Sequence, residues 1–437
     1  MTHDLHDEFR RALAGRDVDA VRALLERHPS AREMIDAPLF PFDAPALVHF
    51  AGADDLAMVE LLLEQGANPN RRSEWWAGGF HPLHSASGEV AERLLEAGAV
   101  PDACAAAHLD RPEMIARILD ADPPRVEERG GDGQTPLHFA RSRGVVDLLL
   151  ERGADLDARD VDHRATPAQW MLDRHRGSGR HALAGYLVER GARVDVFLAA
   201  ALGLADQLRS MLGSDPSLLE LRTGRGEYAE QPPSSFHIYT WTIGQYLSPL
   251  QVAAQFEQGG ALNVLSAFAG PKDRFLAACA RGSGEEARRL LATSPTLIEE
   301  LTVEDRRAVA DAAWAGHADA VELMLSLGFP VDAAGQDGGT VLHCAAWQGA
   351  VRCVEVALRH DPDGALLERG DPVHGSTPLG WCCHGSRHCR NPRGDYAAVA
   401  RLLLAAGARP GPNLDDAAPE VLAVLRGEAD LSPRPDP

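Results

Sequence analysis

DGQTPLHFARSRGVVDLLLERGADLDARD, Asp132 to Asp160, decides the fold. Thr135 is a residue that caps free amides at a helix start, and Pro136 follows at the first helical position, where a missing N–H is harmless. The aliphatic run Leu148 to Leu150 supplies a buried stripe. Gly153 then stands where a helix must stop, because glycine reaches the left-handed cap conformation without a Cβ penalty.

Both marks recur along the chain. The closing mark appears as LLLEQGA (Leu61 to Ala67), LLEAGA (Leu94 to Ala99), LVERGA (Leu187 to Ala192) and LLLAAGA (Leu402 to Ala408). A proline version punctuates at the same point in LLERHP (Leu24 to Pro29), ILDADP (Ile118 to Pro123) and MLGSDP (Met211 to Pro216). The opening mark returns as ATPAQW (Ala165 to Trp170), LSPLQVAA (Leu247 to Ala254), GGTVLHCAA (Gly338 to Ala346) and STPLGWCC (Ser376 to Cys383). From His28 to Gly407 the cap positions recur on average every 34 residues or so, close to the roughly 33 of one known helical repeat.

Asp132 to Asp160 resembles a nearly complete ankyrin repeat, and DGGTVLHCAAWQGAVRCVEVAL (Asp337 to Leu358) resembles another. The resemblance implies an all-α helical solenoid of about twelve repeats with irregular fingers. A capping repeat is expected over 1–36, repeats over 37–222, an insertion over 223–247, further repeats over 248–411, a cap over 412–430 and a tail over 431–437. It also implies a binding scaffold, the usual role of the family, while the residues shared by the family are structural and do not say what is bound.

Composition narrows the partner. With 64 acidic against 43 basic residues, the net charge of −21 repels nucleic acid and anionic membrane surfaces, so neither is expected as a partner. The first residues lack an apolar stretch, no long apolar run follows, and seven scattered cysteines suit a reducing compartment. A cytoplasmic location is the expectation, with no cofactor.

Departures from the period mark candidate sites. The insertion TGRGEYAEQPPSSFHIYTWTIGQYL (Thr223 to Leu247) carries Tyr228, Phe236, Tyr239, Trp241 and Tyr246. Its FHIYTW segment alternates like a short strand, relating His237, Tyr239 and Trp241; these aromatics either meet a ligand or pin the loop to the stack. Trp75 and Trp76 sit in a finger, RRSEWWAGGFH (Arg71 to His81), as partner contacts or as packing against the neighbouring finger.

Aligning successive repeats places Trp314, Trp347 and His384 at one position, expected on the concave side as a ladder; gap filling between helices is the alternative. His84, His138 and His343 fall at the ordinary structural histidine, and Trp170 and Trp381 one position later, facing the core. The last repeat is elongated and holds Cys383, His384, His388, Cys389 and Asp395. Zinc is chemically conceivable there, but neighbouring ligands on one helix cannot readily aim at one ion, so no metal site is expected.

Two functions of different class remain. In the first, Trp75, Trp76, Tyr239, Trp241, Trp314, Trp347, His384 and His388 present a localised aromatic and histidine site to a protein segment or small-molecule ligand in the groove. In the second, the insertion roofs a pocket in which His237, His384 and Asp395 perform cofactor-independent acid–base chemistry on a small polar or sugar-like ligand, as an isomerase, lyase or hydrolase.

Overall fold

In a computed structural model of the chain, the Thr-Pro openings act as helix starts. The structure describes residues 2–173, 179–224, 235–389, 391–411 and 417–427. Tyr228, the tail over 431–437 and both ends of the expected cap over 412–430 lie outside them, while the described part of that cap, 417–427, holds the short helix Pro419–Leu425. Helices and turns make up the described residues, which hold no strand, only one isolated bridge between Phe40 and Ala44.

The openings are locked by their fourth residue. Thr135 N–H donates to His138 Nδ1 at 3.1 Å, and His138 Nε2 then donates to Ala165 O of the next finger at 3.1 Å. His343 repeats both bonds, with Thr340 N and Ser376 O. Such a ring must be neutral, since one nitrogen accepts, and burial accordingly lowers the His138 pKa to about 3. Gln169 and Gln251 substitute for the histidine, their Oε1 atoms accepting from Thr166 N and Ser248 N. His84 departs from the pattern: its Nε2 meets the Asp102 carboxylate at 2.9 Å.

Helix ends follow the glycine reading. Gly98 and Gly153 have φ values of 91° and 89°, in the left-handed region that ends a helix at little cost only for glycine.

The chain divides into two compact units, residues 1–202 with 221–246, and residues 203–220 with 247–437. In the first unit, helix pairs include Ala46–Gly52 with Leu56–Glu64, Ala103–His108 with Pro112–Ala121, Pro136–Phe139 with Arg143–Glu151, and Pro167–Met171 with Gly179–Glu189. In the second, they include Pro249–Gln255 with Gly259–Phe268, Pro271–Ala280 with Gly284–Thr293, Ala308–Trp314 with Ala318–Ser326, Val341–Trp347 with Val351–Arg359, and Pro378–His388 with Tyr396–Ala405.

Two rows result in the second unit. Val341–Trp347 packs between Ala308–Trp314 and Pro378–His388, while Val351–Arg359 packs between Ala318–Ser326 and Tyr396–Ala405. Small side chains, Ala313, Cys344, Ala345, Ala346 and Cys382 among them, are fully buried and let the first helices approach closely.

The expected strand FHIYTW is instead helical, a 3-10 turn Ser235–Ile238 running into Tyr239–Thr242. Ile238, Tyr239 and Ile243 point into the core, whereas Trp241 is exposed. Their burial follows a helical face, and alternation over six residues could not distinguish this from a strand.

Candidate functional site

The aligned ladder residues of the second unit form one continuous run of rings. Trp314 and Trp347 stack with centroids 6.0 Å apart and planes 10° from parallel. His384 lies 5.5 Å from Trp347, and His388 4.0 Å from His384. Both indoles are half-buried and both imidazoles exposed, so each ring offers a face or edge to solvent.

Backbone geometry fixes these positions. Helices Ala308–Trp314 and Val341–Trp347 each end on the ladder residue, with left-handed Gly316 and Gly349 two residues on. Pro378–His388 passes that point and continues one turn further, carrying His388. Gly385 permits this: a Cβ there would lie 2.5 Å from Trp347 O. The elongated segment beyond is clamped to the same place, since Asn391 Nδ2 donates to Gln348 O at 3.0 Å and Asp395 N to Gly349 O at 2.9 Å.

Trp381 belongs to this cluster, although the sequence placed it only in the core. It is buried as expected, yet its ring stands edge-on to Trp314, Trp347 and His343, at 6.4, 6.0 and 5.3 Å. Its indole N–H donates to Asp371 Oδ2 at 2.9 Å, while Asp371 also accepts from Val373 N, His374 N and Ser376 N. Asp160 does the same for Trp170, at 2.7 Å, accepting too from His163 N and Ala165 N. The signal was present as a twice-used pattern, Asp, three on His, three on Thr-Pro, then Trp: Asp160, His163, Thr166, Trp170, and again Asp371, His374, Thr377, Trp381.

Asp395, expected as a catalytic carboxylate, caps helix Tyr396–Ala405 by accepting from Ala398 N at 2.8 Å. Cys383 is buried while His384 and His388 are exposed, and the Cys389 thiol faces Gln348 Oε1 at 3.7 Å. Among the described residues, metal-ligand atoms converge at Asp102, Cys104 and Glu128 of the first unit. Those carboxylates are already committed, Asp102 to Arg72, His84 and Ala105 N, and Glu128 to Arg125 and Ala103 N. Two guanidiniums at this point oppose a cation.

Other expected site residues lie in the first unit. Trp76 is 62% exposed and touches half-buried Trp75, which meets exposed Phe42 edge-on at 5.2 Å. Phe42 holds φ 62°, a costly conformation for an aromatic residue. Beneath them Asp132, buried and close to Asp160 and Asp162, has its pKa raised to about 7, first by burial and then by those two carboxylates. Trp75 and Gln134 face it and act in the opposite direction.

Tyr239, expected as a contact, is instead fully buried, and its hydroxyl donates to Asp195 Oδ2 at 2.7 Å. It packs on Phe197, with Phe236 alongside, so the described end of the insertion is anchored by its aromatics. His237 stacks on His163 at 5.4 Å. Trp241 remains 59% exposed. His237 and Tyr239 thus belong to the first unit, and Trp314, Trp347, His384, His388 and Asp395 to the second.

Comparison with known proteins is consistent with the repeat geometry. The family model for the ankyrin repeat matches residues 132–161, and the model for three ankyrin copies matches 309–413, which includes the whole ladder. Among curated proteins, ankyrin repeat and SAM domain-containing protein 6 of Mus musculus is 32% identical over 146 residues, 30% of this chain and 16% of that protein. B-cell lymphoma 3 protein of Homo sapiens is 38% identical over 105 residues, 20% of this chain and 23% of that protein. The matched portion is thus a small part of either relative. Among solved structures, the ankyrin repeat domain of Bcl-3 aligns with 54% of this chain and 99% of its own at 19% identity and a TM-score of 0.31. That of human ASB11 aligns with 71% and 100% at 18% and 0.27. On its repeated helix pairs and these family matches, the chain is an ankyrin-repeat protein, a fold whose repeats act as a protein–protein interaction module.

Proposed function

We propose that the second unit binds a segment of a partner protein along its row of first helices, with Trp314, Trp347, His384 and His388 as the principal contacts. The stacked, half-exposed indole pair carries this reading. Two large rings held parallel by Trp381, itself tied to Asp371, are already ordered before binding, so little side-chain entropy remains to be lost. Indoles of this kind are the residue type on which interface energy concentrates. Trp76 with Phe42, and Trp241, are further exposed aromatics available to a partner on the first unit.

The test is to immobilise the full chain, identify the proteins it retains, and measure the affinity of each purified partner for Trp314→Ala and Trp347→Ala variants. A central tryptophan contributes about 2 kcal/mol or more to such an interface, so each variant should bind at least roughly tenfold more weakly. Unchanged affinity for every partner, with helical content intact, would remove the ladder from the function.

A further inference from the structure

We propose that the first unit carries an oxyanion-binding site between Arg141 and Arg180, suited to a carboxylate or phosphate group. The chain is strongly acidic, and many of its described arginines stand beside a carboxylate, as Arg72 does with Asp102 and Arg190 with Asp147. Arg141 and Arg180 differ. Arg180 Nη2 donates to two main-chain carbonyls, His138 O at 3.3 Å and Trp170 O at 3.4 Å. Arg141 Nη2 donates to His108 Nδ1 at 3.1 Å, and His108 Nε2 donates in turn to Ala86 O at 3.2 Å.

Neutral acceptors therefore aim both guanidiniums, and no carboxylate among the described residues lies within ion-pair distance of either. Asp173 attracts Arg180 from farther away. The two cations also repel one another: burial first and Arg141 second bring the Arg180 pKa down to about 10, and burial followed by Arg141 brings His108 to about 4. His108 is thus an uncharged acceptor that orients Arg141 without cancelling its charge. Two guanidiniums near enough to repel are stabilised when an anion joins them, and a guanidinium fork fits the two oxygens of a carboxylate or phosphate. Arg141 is exposed and Arg180 half-buried, so such a group has access from solvent.

The full chain should be titrated calorimetrically with inorganic phosphate and, separately, with succinate, ionic strength being held constant with chloride. Saturable binding of at least one is expected. Arg141→Gln and Arg180→Lys should each weaken it by about tenfold or more, as loss of a charged hydrogen bond does. Arg143→Gln, an exposed neighbour stacked on Tyr186, should leave it unchanged. Binding of phosphate alone would identify a phosphorylated ligand, and succinate alone a carboxylate source. No saturable binding of either anion, or equal weakening by Arg143→Gln, overturns the proposal. Because Arg180 also braces two carbonyls, Arg141→Gln with unaltered melting is the decisive variant.

Discussion

Replacing Asp132 by Asn should stabilise the first unit, and increasingly so as pH rises. The carboxyl keeps its proton up to about pH 7 in the folded chain but only to about 3.8 when exposed. Folding therefore takes up a proton between those values, so stability falls as pH climbs through that window. The difference of about three units, at 1.36 kcal/mol each, sets a ceiling of about 4 kcal/mol on the penalty at neutral and alkaline pH. Asn is nearly isosteric, cannot ionise and tolerates left-handed backbone, which Asp132 adopts at φ 56°. Urea unfolding should show the variant and the parent equal near about pH 4 and the variant ahead by a few kcal/mol near about pH 8. Hydrogen exchange should locate the gain in the fingers at residues 129–135 and 159–165, where Asp160 and Asp162 also stand, since repeat arrays open locally. A variant that is less stable at both pH values, or a gain independent of pH, would refute this account of the three carboxylates.

Two further substitutions test the geometry of each unit. Gly385→Ala sets a Cβ against the Trp347 carbonyl, so it should cost about 1–3 kcal/mol and weaken the exciton signal of the Trp314 and Trp347 pair in circular dichroism. Unaltered melting and an unaltered couplet would show that the helices can part freely. Tyr239→Phe withdraws a buried donor from Asp195 Oδ2, leaving Gln169 Nε2 on that oxygen, and should cost about 1–3 kcal/mol. Denaturant midpoints equal to those of the parent would place the tyrosine outside the core's hydrogen bonding.

Local signals in the chain were readable where the structural cause is itself local. Thr-Pro openings and Gly closings are decided within a few residues, and alignment by them places Trp314, Trp347 and His384 in one run of rings. Harder to read were side-chain contacts between residues set well apart along the chain. Trp381 joins that run through an acceptor ten residues back, and Arg141 meets a histidine a full repeat earlier. Tyr239 misled for another reason: an aromatic in an insertion looks available until the hydroxyl partner, Asp195, is seen forty-four residues away.

The extra turn of helix Pro378–His388 gives the ladder an end. Its neighbours stop at the ladder residue, whereas this helix rises about 6 Å further, four residues at 1.5 Å each. His388 therefore stands above the track that Trp314 and Trp347 lay down, like a buffer at the end of a rail. A chain lying on those indoles would be free to run towards Pro271–Ala280 but blocked at the histidine, and its register would be set from that one side.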